Sequence, residues 1–285
     1  MDALFIFLQK VAPQHFLSRL AGRLANSQLQ WWKNTFIRFF IRKYDVDMSE
    51  AERESAEDYL CFNDFFTRAL KPDARPICRQ KNQLACPADG AISQLGDIEE
   101  NRIFQAKGHN YTLQALLGGD NELTQQFVGG KFATIYLSPR DYHRVHCPFD
   151  GRLLEMLHIP GKLFSVNTTT AENIPELFAR NERMVAIFET AIGPMAVIMV
   201  GAMIVASIET AWAGLLPAGS KNIARYSYTN NDEIRLEKGA ELGRFKLGST
   251  AILLFPKNCL EWQAELQAGS LVRMGESIAT TMVEG

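Results

Sequence analysis

Cysteine is scarce in this chain and has no paired spacing: Cys61, Cys78, Cys86, Cys147 and Cys259 are odd in number and no two form a CxxC. That argues against a disulfide framework or a thiolate metal site, and for reduced structural thiols. The sequence has no P-loop, no GxGxxG and no HExxH, so the usual phosphate, dinucleotide and zinc-protease fingerprints are missing and no metal is expected. It has no low-complexity tract, and 47% hydrophobic with 22% charged residues is the composition of a folded globular protein. At the N-terminus, MDALFIFLQK offers six apolar residues with no basic residue ahead of them and no small-residue cleavage site. This is not the pattern of a secretory signal, and it predicts a protein on the cytoplasmic side.

One long uncharged run does occur, the nineteen residues Thr190 to Ile208. Its length would suit a membrane-spanning helix. Gly193-Pro194, Gly201, the Val and Ile enrichment and the flanking acids Glu189 and Glu209 instead predict two buried strands joined through a bend.

The net charge of −2 conceals an asymmetry. Residues 1–43 carry seven basic residues and one acid, while the rest carries 23 basic and 31 acidic residues. An anionic partner is implied, nucleic acid or a membrane surface. Phe5, Leu8, Phe16, Leu17, Leu20, Leu24, Trp31, Trp32, Phe36, Phe39 and Phe40 are interleaved with those cations at helical spacing, broken by Pro13. Lys and Arg beside Trp, Phe and Leu describe an interfacial helix better than a nucleic-acid arm. The competing reading is a helical hairpin packed on the body of the protein.

Ser49-Glu50-Ala51-Glu52 has the form of a capping box and predicts a helix running toward Tyr59, with a second over Asn63 to Leu70 ended by Pro72. From Ala85 onward, short β-rich runs alternate with Gly and Pro. Pro87–Ile92 echoes Pro148–Leu153, and Leu236–Leu242 echoes Leu266–Val272. The expected fold class is α+β: N-terminal amphipathic helices in a membrane-associating region, residues 1–62, then a β-dominated catalytic domain, residues 63–285, of lipoyl-like or barrel-sandwich character.

Three groups carry candidate chemistry. His143 and His146 stand in Tyr142-His143-Arg144-Val145-His146, two of only five histidines, and read as acid/base equipment in the absence of a completed metal set. Asp89 in Ala-Asp-Gly, taken alone, is better explained by a turn, as is Asp150 in PFDG, and only an arrangement with a histidine and a nucleophile would raise one above the other. Ser249 follows Gly248 without the flanks of a GxSxG elbow. A glycine carbonyl has no Cβ to shield it, so attack of the Ser249 hydroxyl on its own backbone is the chemistry this pair suits. The peptide becomes an ester, and β-elimination with hydrolysis leaves a pyruvoyl group.

Together the motifs resemble the phosphatidylserine decarboxylase family, whose members are pyruvoyl-dependent, self-processing and membrane-associated. Leu247-Gly248-Ser249-Thr250 is similar to the family's LGST signature, YHRVHCPFDG to its paired-histidine segment, Pro87–Gly90 to its ADG segment and Pro175–Arg183 to its FARNERV stretch; Gly161–Val166 and Val200–Val205 match in order. The resemblance spans about Asn63 to Met282. It implies cleavage between Gly248 and Ser249 into a β chain 1–248 and an α chain 249–285, with Ser249 becoming the covalent pyruvoyl cofactor. Asp89, His146 and Ser249 would form a charge relay for cleavage, and His143 would serve the decarboxylation. Phosphatidylserine in the membrane would form a Schiff base with the pyruvoyl group and leave as phosphatidylethanolamine. The implied setting is peripheral, on the cytoplasmic face of the cell membrane, with a homodimer of the processed pair as a further expectation and no nucleic acid. The other readings are a pyruvoyl decarboxylase of a soluble amino acid, a non-enzymatic lipid-binding module, and a serine hydrolase.

Overall fold

The Val-, Ile- and Met-rich runs of the second half are strands buried on both faces, as continuous apolar runs require. The computed structural model describes residues 6, 7, 9, 12–202, 208–217, 220–228, 233–246 and 249–282, without the side chains of His15 and Ser249. Among these residues the largest sheet runs in the order Ala224–Ser227, Gly151–Ile159, Arg183–Thr190, Gly193–Val200, Ser249–Phe255, Lys131–Leu137, Gly90–Asp97, Leu271–Val272, with Arg235–Leu236 paired to Gly151–Ile159. Every pairing in it is antiparallel.

One face, through Ile135, Leu137, Val197, Met199, Ala251 and Leu253, packs on Val145, Ile208, Leu242 and Phe245. Those four belong to a smaller sheet ordered Gly214–Leu215, Ile208–Thr210, Glu241–Phe245, Arg144–His146. The opposite face, through Phe132, Ile198, Val200, Ile252 and Leu254, is covered by Leu113, Leu116, Leu123, Leu177 and Phe178 from short helices such as Leu113–Leu116 and Leu177–Arg180. The fold is therefore α+β as expected, and its sheets are open rather than closed into a barrel.

The uncharged run is no helix among the described residues. It enters through the hairpin between Arg183–Thr190 and Gly193–Val200, leaves that strand at Gly201, and resumes beyond the undescribed residues 203–207 as Ile208–Thr210 in the second sheet. Of the two internal echoes, the one between Leu236–Leu242 and Leu266–Val272 holds in the backbone, with Gly239 and Gly269 at φ 87° and 91°, angles glycine adopts at little cost; in the other, Gly90 has a φ of 156° and Gly151 is not among the positive-φ glycines.

The capping-box helix does not form. The Ser49 backbone N–H and hydroxyl both bond to Asp47, the Glu50 carboxylate is taken by Arg75 and Arg273, and Ala51 bridges Leu70. A local cap signal worth about 1 kcal/mol yields to a partly buried ion network. Only a 3₁₀ turn, Ala56–Asp58, remains, and the second helix is shortened to Phe62–Phe66.

Pro13 stands immediately before the helix Gln14–Ala25, as the sequence led one to expect of a break there, but a second break that the sequence reading did not foresee, over residues 26–29, divides that helix from Gln30–Tyr44. The second helix buries Ile37 and Phe40 against Phe62, Phe65 and Phe66, a cluster with members on both sides of residue 62. The first leaves Phe16, Leu17, Leu20 and Leu24 exposed, and Trp31 (72%) and Phe39 stand out from the second. Of the two readings of the arm, packing holds for one helix face, while other faces carry unpartnered apolar surface. No helix among the described residues is long and apolar enough to cross a membrane.

Candidate active site

Strand register brings the chemistry to one end of the large sheet. Ser249 begins the Ser249–Phe255 strand opposite Leu137. On the next strand, Ala91 pairs with Tyr136, which places Asp89 and Gly90 two strands, about 10 Å, from position 249. On the other flank Thr250 pairs with Val200, and Val200 with Arg183. Leu247, Gly248 and the Ser249 hydroxyl lie outside the described residues, so the expected scissile bond is located only by its strand.

The glycine of Ala-Asp-Gly is required by close approach: a Cβ on Gly90 would lie 2.2 Å from the Tyr136 carbonyl oxygen. Asp89 is consequently held against the sheet end, where it does more than close a turn. Its Oδ1 accepts from the Met274 N–H at 2.8 Å and from Arg75 Nε at 2.9 Å, and its Oδ2 from Arg75 Nη2 at 2.6 Å. Arg75 also bonds Glu50 at 2.7 Å. Burial opposes the Arg75 charge, but the hydrogen bonds to Asp89 and Glu50 outweigh it and push the guanidinium above its ordinary value.

His146 is fixed at both nitrogens. Nδ1 lies 2.7 Å from the Gly239 carbonyl and Nε2 lies 3.0 Å from the Tyr142 hydroxyl, while its backbone N–H donates to Pro87 at 2.7 Å. A carbonyl only accepts, so Nδ1 carries the hydrogen and Nε2 of the neutral ring is an acceptor. Burial lowers the pKa of His146, and the Asp89 and Glu241 charges counter it. The direct Asp89–His146 hydrogen bond of a relay is not among the contacts of either side chain here. Arg75 occupies the carboxylate, and Asp89 reaches the imidazole through its field.

His143 lies just before the Arg144–His146 strand and has different neighbours from His146. It is fully buried and stacks on Phe66 at 3.9 Å; among the described residues its ring nitrogens make no well-formed hydrogen bond, and only the nearby Pro139 and Ser138 backbone favours its charge. Burial, aided by the Arg68 charge, holds its pKa down to about 3. Its carbonyl accepts from Phe245, four residues before Ser249. Beside this group lies a cavity of about 310 Å³, bounded by Asp89, Arg75, Arg68, Tyr142 and Leu271.

Tyr142, Arg75 and Glu50 escaped the reading of the sequence. Tyr142 adjoins the histidine pair and carried that much signal; Arg75 sits in no motif, and Glu50 was read only as part of the capping-box stretch. Asp150 stands apart from this group and makes a long-range contact, its Oδ1 accepting from the Lys238 N–H at 2.6 Å. No group of three or more His, Cys, Asp or Glu suited to a metal occurs among the described residues.

Two buried imidazoles and a buried carboxylate near the end of the sheet where the Ser249–Phe255 strand begins are groups of the acid/base class. Comparison with known proteins is more specific. Residues 62–280 match the family described as Phosphatidylserine decarboxylase, and residues 4–45 match a family described as PSD. A protein of Pseudomonas putida named phosphatidylserine decarboxylase proenzyme is 59% identical over 278 residues, 97% of each chain. One of the same name from Hahella chejuensis is 56% identical over 277 residues, 97% of this chain and 93% of that one. The chain belongs to the phosphatidylserine decarboxylase family, a family of carboxy-lyases.

Proposed function

We propose that the chain is a proenzyme that cuts itself between Gly248 and Ser249 and then decarboxylates phosphatidylserine to phosphatidylethanolamine at a membrane surface. The observation that carries this reading is the register that sets Ser249 at the sheet end shared with Asp89, His146 and His143.

In the proposed cleavage, His146 Nε2, kept neutral by burial, takes the Ser249 hydroxyl proton, with the Tyr142 hydroxyl bonded to that nitrogen as the relay. The hydroxyl oxygen adds to the Gly248 carbonyl and the C–N bond breaks, giving an ester. Elimination across Cα–Cβ frees Gly248 as a carboxylate, and hydrolysis of the resulting enamine releases ammonia and leaves the pyruvoyl group. Asp89, oriented by Arg75, favours the transient imidazolium through its charge.

Buried polar groups near position 249 fit such a group: the one N–H of the neutral His143 ring and the Thr250 hydroxyl, neither of which is bonded among the described residues, could donate to its carbonyl oxygens. When formed, a pyruvoyl group supplies a ketone for the substrate amine and a conjugated carbonyl to receive the electrons freed with CO₂. His143, neutral and shielded from water, is assigned the proton delivered to the carbon that loses CO₂. Phe16, Leu17, Leu20 and Leu24 beside Arg19 and Arg23 support the peripheral membrane setting.

Intact mass and denaturing electrophoresis of active protein test the reading. Two chains divided at Gly248-Ser249, the shorter one blocked to N-terminal sequencing, are expected, and Ser249→Ala should give one inactive chain. Active material made of a single 285-residue chain would overturn it. Light scattering on the same sample decides whether processed pairs form the expected homodimer.

A further inference from the structure

A second cavity, about 490 Å³, lies where the first helix of the arm meets the sheet domain. Among the described residues no acid lines it. Lys162 and Arg180 face it with Pro13, Gln14, Phe16 and Phe164, and neither cation makes an ion pair among the described residues. The catalytic cavity differs in kind: Asp45, Asp47, Glu50, Asp89 and Asp141 all border it beside its arginines.

The walls of this second cavity are built rather than incidental. Gln14, 6% exposed, accepts from the Leu163 N–H at 2.8 Å and donates to the Gln9 carbonyl at 2.7 Å. Phe164 is held by its N–H and carbonyl to the Asn181 side chain, at 3.0 and 2.9 Å. The Arg180 guanidinium rests 4.9 Å above the Phe164 ring, a geometry that restrains it without neutralising its charge. At the mouth, Phe16 is 58% exposed and continues into the open stripe of Leu17, Leu20 and Leu24.

We propose that this cavity is an accessory docking site for the phosphate of an anionic bilayer phospholipid other than the reacting one. The proposal rests on the membrane reading above. Charge selects the ligand class: two unpaired cations and no acid suit a phosphodiester and reject an amine. Continuity with the apolar stripe sets the ligand's source, since a helix lying in the interface puts the Phe16 mouth at head-group depth. Tying the arm to the Leu163–Phe164 segment, and through Asn181 to the Gly201 carbonyl at 2.9 Å, would also seat the end of the Gly193–Val200 strand that pairs with Thr250.

The test is flotation of the full-length protein on phosphatidylcholine vesicles with and without phosphatidylglycerol, paired with turnover of phosphatidylserine in neutral detergent micelles. Lys162→Glu/Arg180→Glu should bind phosphatidylglycerol vesicles at least about tenfold more weakly, bind pure phosphatidylcholine as the parent does, and keep its micellar KM and kcat. Lys162→Gln/Arg180→Gln, with an unchanged melting temperature, should show the same selectivity to a smaller degree. Equal binding of parent and both variants to phosphatidylglycerol vesicles would overturn the site alone. A raised micellar KM with unchanged flotation would make the cavity a substrate subsite and overturn the docking role. A parent protein that floats on neither vesicle would overturn the membrane reading with it.

Discussion

Arg75 grips Asp89 with two nitrogens, Nε at 2.9 Å and Nη2 at 2.6 Å, and both side chains are more than nine-tenths buried. Removing the cation strands a buried carboxylate, at a cost of about 3–5 kcal/mol. Arg75→Leu should therefore lower the melting temperature by about 10 °C and slow self-cleavage. Asp89→Asn/Arg75→Leu should recover much of the stability and none of the cleavage. Calorimetry and a time course of the two chains on gels check both halves.

The pH dependence of stability carries the mark of His143. Its folded pKa, about 3, lies below the unfolded value of about 6.5. The contribution of its burial is complete above pH 6.5 and is lost as pH falls toward 3, at up to about 1.4 kcal/mol per pH unit. His143→Phe, which keeps an aromatic ring against Phe66, should flatten that part of the profile: between pH 7.5 and 4.5 it should lose about 2–3 kcal/mol less than the parent in urea titrations. It should also cleave and fail to decarboxylate, separating the two histidine roles.

Self-cleavage reads out the other histidine. Since burial lowers the His146 pKa, the cleavage rate should stay level as pH drops through 6.5, where an exposed histidine would already be protonated. Tyr142→Phe should slow cleavage about 10- to 100-fold and His146→Ala should stop it. A single-exponential appearance of the small chain after pH adjustment of trapped precursor supplies the rates.

Cleavage should not release the small chain. Ser249–Phe255 lies between Lys131–Leu137 and Gly193–Val200 at the centre of the sheet. Leu271–Val272 and Ser277–Thr281 pair with Gly90–Asp97 and Gln83–Ala85. Both chains should co-elute on gel filtration in buffer and separate only in denaturant.

Exposed leucines of the arm test its role without disturbing the buried face. Leu20→Gln/Leu24→Gln should reduce vesicle binding several-fold and leave the melting temperature within about 1 °C. Ile37→Gln, aimed at the inner cluster, should do the reverse. Deleting residues 1–43 outright would confuse the two, because Ile37 and Phe40 belong to that cluster.

Much of the candidate site was legible in the sequence. Ser249 after Gly248, the histidine pair and the Ala-Asp-Gly turn are short patterns whose chemistry travels with the residues themselves. Less was legible in the partners. The pairing of Asp89 with Arg75, and of His146 with Gly239 and Tyr142, depends on segments up to 93 residues apart with no periodic signal between them. The capping box at Ser49 misled for the same reason, since Arg75 and Arg273 draw Glu50 into an ion network that no local pattern records.

The sequence by itself determined the class of fold, the β-rich character of the chain beyond Ala85, the basic amphipathic arm and the choice of Gly248-Ser249 as the candidate junction. These are encoded in residue type, in periods of two and 3.6, and in Gly and Pro punctuation, all local quantities. Only the tertiary structure decided which charge answers Asp89, which nitrogen of His146 is free to accept a proton, and how far each arm helix is buried. Those outcomes are settled by strand register and long-range packing, where competing partners are compared across space and the best-satisfied buried arrangement prevails.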